Sequence, residues 1–281
     1  MILIADCGST KIDWCVVENG EVKKQVFTSG INALLMTEEQ IRESLALELA
    51  QEVAEFEIES VYYYGAGCLF DDICANVRRA IAANVPTAKT IEVHSDLVAA
   101  ARALCGDREG IACILGTGSN SCFWDGEKIA DNVSPLGYIL GDEGSGAVLG
   151  KLLVGDVLKK QLPEELCEKF LKEYELDRQK IIESVYKRPA ANRFLASLSP
   201  FLSKNIEEPA IHRLVLNAFK SFFVRNIENY KDYKNYAVSF VGSVAFYYRE
   251  VLEEAAAQCG CTVGSIIKSP MEGLIKFHTA I

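Results

Sequence analysis

Apolar and polar positions alternate through the first thirty residues with the period of a sheet. Residues 2–5 form a short apolar run closed by Asp6, residues 12–17 form a second, and residues 21–28 alternate as a third strand. Asn19-Gly20 is a hairpin signal, because both residues tolerate the positive φ of a tight two-residue turn. The period then changes. Ile41, Leu45, Leu49 and Val53 recur every fourth residue, which predicts a helix over 38–56 with Thr37 as its cap. A β-rich run at 58–64 ends in Gly65-Ala66-Gly67, and 70–83 reads as a helix. A short strand at 90–94 and an alanine-rich helix at 96–104 close this half.

Residues 105–110 are polar and bounded by glycine, and after them the pattern restarts. Apolar runs at 111–115 and 121–124 are followed by the turn signal Asp125-Gly126 and a third strand at 128–133. A long helical region runs from Ser145 to about Tyr230, clearest at 164–174, 178–185 and 210–227. Then come a strand at 236–241, a helix at 244–257, a strand at 262–267 and a last helix at 271–278. Both halves share one plan: three strands joined by a hairpin, then helix, strand, helix, strand, helix. The expected fold is α/β with two duplicated domains, 1–108 and 109–281, and extra helices inserted in the second. Such a duplication is expected to hold a ligand in the cleft between its halves.

Glycine turns punctuate this plan. Asp6-Cys7-Gly8-Ser9-Thr10-Lys11 and Gly116-Thr117-Gly118-Ser119 each follow the first strand of a half. Backbone N–H groups and hydroxyls in such turns cradle phosphate oxygens, and an acid ending the first strand suits magnesium. Taken singly, each is equally an ordinary hairpin turn. Phe240-Val241-Gly242-Ser243 closes a strand and opens a helix, where a nucleoside could lie on bare backbone. Leu140-Gly141-Asp142-Glu143-Gly144-Ser145-Gly146 sets two acids among three glycines, either as hydroxyl acceptors for a ligand or as a helix start favoured by the dipole. Asp96 opens a helix after a strand, where α/β ligand sites gather; it is a candidate base or a helix-start acid. Asn32 is a turn residue or a sugar contact. No GxxxxGK[ST] or GxGxxG stretch is present, so P-loop and dinucleotide folds lose their main support.

Composition narrows the partners. The chain has 281 residues, 49% hydrophobic and 24% charged, with a net charge of −10 and no basic stretch, which argues against nucleic acid. No apolar run approaches the roughly 20 residues of a membrane span. Four of the ten cysteines (Cys7, Cys15, Cys113, Cys122) sit in strand-like runs as small hydrophobes, and an acid at Asp6 argues against a signal peptide. A cytoplasmic protein with reduced thiols is expected.

In this order across nearly the whole chain, DCGSTK, ILGTGSNS, LGDEGSG and FVGS resemble the actin-like/hexokinase ATPase superfamily. Within it the chain is similar to the N-acetylglucosamine kinase group and its BadF/BadG/BcrA/BcrD-type relatives. The resemblance implies two ribonuclease-H-like domains closing on ATP, magnesium and a sugar. It assigns Asp6 to the metal; Gly8, Ser9, Thr10 and Lys11 to phosphate; Thr117 and Gly118 to the γ-phosphate; Gly242 and Ser243 to adenosine. Asp96 matches the catalytic acid of the group, and Asn32, Cys68, Asp142 and Glu143 fall where the sugar binds. Cys7 and Ser9 stand where the group has glycines, and Pro135-Leu136-Gly137-Tyr138 replaces its glycine-tryptophan pattern.

The expected function is an ATP-dependent kinase of N-acetylglucosamine or a related amino sugar, acting at the C6 hydroxyl. The alternative is an ATPase of the reductase-activator type that drives a partner protein. The implied partner is a small-molecule sugar, without nucleic acid or membrane; a homodimer is compatible with either reading.

Overall fold

The computed structural model describes residues 1–8, 11–68 and 70–280. It divides into two compact units, Met1–Asp107 with Pro270–Ile281, and Arg108–Ser269.

The first unit opens with β1 (Ile2–Cys7), β2 (Lys11–Glu18) and β3 (Glu21–Ser29), joined between β2 and β3 by Asn19 and Gly20, both at positive φ. Helices α1 (Glu38–Glu48) and α2 (Ala50–Val53), strand β4 (Ser60–Gly65), α3 (Asp71–Asn84), β5 (Thr90–Ser95) and α4 (Asp96–Cys105) follow. Thr37 caps α1 in a reciprocal box: its hydroxyl accepts from Gln40 N, and Gln40 Oε1 accepts from Thr37 N. The single helix expected over 38–56 is two, because Leu49 turns into the core at φ −116° and Glu52 N bonds Leu49 O in a tighter turn.

The sheet order is β3-β2-β1-β4-β5, with β1 antiparallel to β2 and parallel to β4. Side chains alternate across β1. Leu3, Ala5 and Cys7 pack with Ile12, Trp14 and the helices α1 and α3; Ile4 packs on the opposite face with Tyr64, Ala99, Met271 and Leu274. Both faces are therefore covered, which explains why β1 is almost wholly apolar up to Asp6.

The second unit repeats this topology. Strands β6 (Glu109–Leu115), β7 (Ser119–Asp125) and β8 (Ile129–Asp131) are followed by helices α5 (Gly137–Leu140) and α6 (Gly146–Leu158). Helices α7 (Glu164–Glu173), α8 (Arg178–Tyr186), α9 (Ala191–Leu198), α10 (Pro200–Lys204) and α11 (Pro209–Arg225) form the insertion. Strand β9 (Val238–Val241), α12 (Ser243–Tyr247), α13 (Arg249–Gln258) and β10 (Val263–Ile267) complete the unit. Its sheet runs β10-β9-β6-β7-β8, the same order of first, second and later strands, with β6 antiparallel to β7 and parallel to β9. Helices α9 and α10 carry no clear period in the sequence. Their place is set by two glycines of α6: a Cβ on Gly150 would lie inside the Leu195 carbonyl, and one on Gly146 would press on Ala196. Bare backbone there lets α9 lie close against α6.

The last helix, α14 (Met271–Thr279), packs on α4 and β1 in the first unit, whereas the sequence pattern placed 271–278 in the second half. A polar network holds it. Arg102 donates to the Tyr64 hydroxyl at 2.8 Å, the Tyr64 hydroxyl and His278 Nε2 share a hydrogen bond at 2.6 Å, and Tyr62 stacks on the His278 ring at 3.7 Å. Burial first, and Arg102 second, push the His278 pKa down to about 4. A histidine whose folded pKa lies below its unfolded value supports the fold above both, and that support is lost as pH falls from about 6.5 to about 4. The full loss is on the order of 3 kcal/mol. His278→Gln, which keeps an acceptor but does not titrate, should flatten this part of the pH dependence. Denaturant unfolding at pH 7 and 4.5 checks it; equal pH dependence in both proteins would contradict the assignment.

Candidate active site

In the first unit the chemistry gathers at the carboxyl ends of β1, β4 and β5. Asp6 is the penultimate residue of β1 and Asp96 follows β5 directly. Ser95, not Asp96, caps α4, its hydroxyl accepting from Val98 N at 3.4 Å. The Asp96 carboxylate is thus not needed as a cap. Burial raises its pKa above the usual carboxylate range. Asp6 is pushed to about 7, by burial first, then by Asp13 and Asp96, with Lys11 opposing. Lys11 lies over the Phe27 ring, 4.5 Å from its centroid. Gly8 N bonds Lys11 O at 3.0 Å, closing the turn between the strands. Ser9 and Thr10, the other phosphate candidates, lie outside the described residues.

Two turns beside this point carry the proposed sugar contacts. Asn32 Oδ1 accepts from Leu34 N at 3.2 Å, as turn asparagines do, and its amide nitrogen has no partner among the described residues. Gly67, at φ +84°, brings the Cys68 turn against Leu34, so the Asn32 and Cys68 turns pack together. Burial pushes the Cys68 thiol to about 12, so it is a small protonated side chain and not a nucleophile.

In the second unit three glycine segments meet. Gly116 N bonds Gly118 O at 2.9 Å, folding the turn after β6. Gly146 N and Ala147 N, in the first turn of α6, then bond Gly116 O at 2.8 Å and Thr117 O at 3.0 Å. Gly242, at φ +127°, lies flush on the strand end that feeds this turn: a Cβ there would sit 2.3 Å from Leu115 O. The fold therefore sets the candidate γ-phosphate turn and the candidate adenosine turn side by side. The Thr117 and Ser243 hydroxyls have no partner among the described residues.

Asp142, at φ +54°, is held by its own loop and accepts from Ser119 N at 3.4 Å. Its carboxylate lies 3.1 Å from where a Cβ on Gly118 would be, so a larger residue there would press on the Asp142 side chain. Burial raises its pKa, against the Ser119 N–H. Glu143 points elsewhere: Arg225 pairs with one carboxylate oxygen and Asn226 donates to the other at 3.4 Å. A groove of ≈ 730 Å³ between α6 and α11 opens on Gly141 and Glu143 and does not reach the Gly116–Gly118 turn.

The structure closely matches a candidate N-acetylglucosamine kinase of Porphyromonas gingivalis: 51% identity, 100% of this chain and 99% of that one, TM-score 0.97. The chain belongs to the N-acetylglucosamine kinase-like family of sugar kinases. It is an ATP-dependent carbohydrate kinase. A second candidate N-acetylglucosamine kinase, from Chromobacterium violaceum, shares 16% identity over 98% of both chains at TM-score 0.73. A glucokinase of Streptomyces griseus, solved with glucose and AMPPNP, shares 13% over 98% of this chain and 97% of its own, at TM-score 0.57. These two share the actin-like ATPase fold. No family model matches the chain, and no curated protein does.

The kinase carries no helix, among the described residues, long and apolar enough to cross a membrane. Nor do those residues include a group of three or more His, Cys, Asp or Glu placed to hold a metal. Magnesium does not need one. It is bound by one or two carboxylates with the phosphates and water supplying the rest. Asp6, desolvated and without a hydrogen-bond partner among the described residues, fits that demand. Sequence reasoning passed over Asp13, whose place opposite Asp6 is a matter of strand register.

Proposed function

We propose that this kinase transfers the γ-phosphoryl group of ATP to the C6 hydroxyl of N-acetylglucosamine or a related amino sugar. The observation that carries the reading is the presence, in one chain, of a buried carboxylate at Asp96, which accepts only backbone N–H groups of its own helix start, and of the joined glycine turns at Gly116–Gly118 and Gly242. Phosphoryl transfer needs little covalent help from protein; it needs positioning and charge neutralisation. Thr117 and Gly118 offer a backbone-and-hydroxyl cradle to the γ-phosphate, and Gly8, Ser9, Thr10 and Lys11 offer another. Gly242 and Ser243 leave open backbone for adenosine. Asp6 would hold magnesium, which when bound neutralises phosphate charge.

Asp96 takes the proton of the C6 hydroxyl as its oxygen bonds to phosphorus and the bond to the ADP oxygen breaks. Asn32, Cys68 and Asp142 are the candidate contacts for the remaining sugar groups. Glu143 sets the loop through Arg225 and leaves the sugar contact to Asp142. Ten free thiols suit a reducing, cytoplasmic setting.

ADP release measured across amino sugars and hexoses tests the reading. N-acetylated amino sugars should give the highest kcat/KM; ADP release equal with and without every sugar would contradict it. The cradle has its own test. Thr117→Ser should retain most ATP affinity, and Thr117→Val should lose about 1–3 kcal/mol, the scale of a charge-assisted hydrogen bond. Equal ATP affinity in the two variants, by calorimetry, would remove the hydroxyl from the cradle.

A further inference from the structure

Asp6 does not stand alone on its face of the sheet. In the antiparallel pairing of β1 and β2 it lies directly opposite Asp13. Residues opposite one another project from the same face with Cβ atoms about 5 Å apart, and like charges so placed destabilise a sheet. Asp96 adds a third negative neighbour, and Lys11 is the one cation among the charges that act on Asp6. The Asp6 carboxylate has no hydrogen bond or ion pair among the described residues, although it is largely shut off from water.

Asp13, by contrast, is oriented. Gln25, reaching over from β3, donates to its Oδ1 at 2.8 Å, and the Cys15 thiol donates to the same oxygen at 3.9 Å. Oδ2 has no partner among the described residues. A sheet that sets two like charges opposite each other, fixes one with a side-chain amide and leaves three carboxylate oxygens without a partner among the described residues is suited to receive a positive charge.

We propose that Asp13 is the second carboxylate for the divalent cation that accompanies ATP, oriented for it by Gln25. This rests on the reading above that Asp6 serves such a cation. One or two carboxylates with the phosphates are the usual protein share of a magnesium site. Asp6 and Asp13 together supply two negative charges for one divalent ion, so the ion turns their cross-strand repulsion into a shared attraction. Gln25 does for Asp13 what outer hydrogen-bond partners do for metal ligands generally: it fixes the direction of the carboxylate.

The test uses Mn²⁺ as probe. Free Mn²⁺ is counted by electron paramagnetic resonance as it is titrated into the full chain with ADP, and ADP alone is titrated by calorimetry in EDTA. Asp13→Asn keeps the shape and an oxygen for Gln25. It should weaken Mn²⁺ binding by about 10-fold or more, the scale seen when metal sites lose a supporting group. ADP binding in EDTA should hold or tighten, because one repelling charge is gone. Gln25→Ala should weaken Mn²⁺ in the same direction and by less. If Asp6→Asn weakens Mn²⁺ while Asp13→Asn does not, the inference is overturned and the Asp6 site stands. If neither does, the cation reading of Asp6 itself fails. If Asp13→Asn weakens ADP equally with and without Mn²⁺, Asp13 shapes the turn and holds no cation, which also overturns the proposal.

Discussion

Asp96→Asn should lower kcat by about 10²–10⁴-fold, the range typical of losing a general base, with the KM for sugar changed little. The asparagine matches the aspartate in shape, so packing around α4 is kept. The start of α4 is also kept, because Ser95 supplies the cap. What is lost is the ability to accept a proton. The wild-type pH–rate profile should carry an acid limb above the ordinary carboxylate range, since burial raises the Asp96 pKa and the base must be ionised to act. That limb should be absent from the residual activity of the variant. Asp142→Asn offers the contrast, since a loop acid that grips other hydroxyls should act mainly on sugar KM. A near-normal kcat in Asp96→Asn, together with a lower melting temperature, would make Asp96 a structural residue and move the search for the base to Asp142.

Gly242→Ala should be the most damaging small substitution near the nucleotide turns. Gly242 sits at φ +127°, outside the regions open to L side chains, and an added methyl would meet the Leu115 carbonyl at 2.3 Å. Backbone strain of this kind costs of order 1–3 kcal/mol, and overpacking against fixed backbone about 1–3 kcal/mol more. The methyl cannot be absorbed by a side-chain rotation, because its neighbour is the end of β6. Strand β9 must move from β6, and the Gly116–Gly118 turn moves with it. The expected outcome is a melting temperature lower by on the order of 10 °C and ATP affinity lost in the protein that still folds. Ser243→Ala, which touches the exposed hydroxyl alone, should leave the melting temperature within about a degree or two, as surface substitutions do. Unchanged stability in Gly242→Ala would mean that the contact with Leu115 is not formed.

Much of the fold could be read from residue pattern because the signals are local. The Asn19-Gly20 turn, the alternation in β1 to β3 and the Thr37 cap each depend on a few neighbouring residues, and a repeat of the same plan implied the second sheet. Features decided by distant contacts were not legible. Helices α9 and α10 are short and meet at Ser199-Pro200, and the position of α9 follows from Gly146 and Gly150 on a helix some forty residues earlier. The C-terminal helix returns to the first unit because Tyr62, Tyr64 and Arg102 hold His278, a pairing no period reveals.

The candidate site divides in the same way. Gly116, Thr117, Gly118 and Gly242 stand out as turns, and the sheet topology explains why they meet: β6 and β9 are parallel neighbours, so their carboxyl ends lie together. Glu143 reads like Asp142 in sequence, but Arg225 and Asn226, from the far end of α11, claim its carboxylate. Asp13 reads as one polar position in a strand until the register sets it opposite Asp6.

The most direct test of the account is the structure of the product. With N-acetylglucosamine and magnesium-ATP, phosphorus NMR with proton correlation should show one new phosphomonoester coupled to the two C6 protons of the sugar, formed in equal amount with ADP. A phosphate coupled to the C1 proton would contradict the proposed acceptor hydroxyl. Inorganic phosphate as the sole phosphorus product besides ADP would contradict the kinase reading itself.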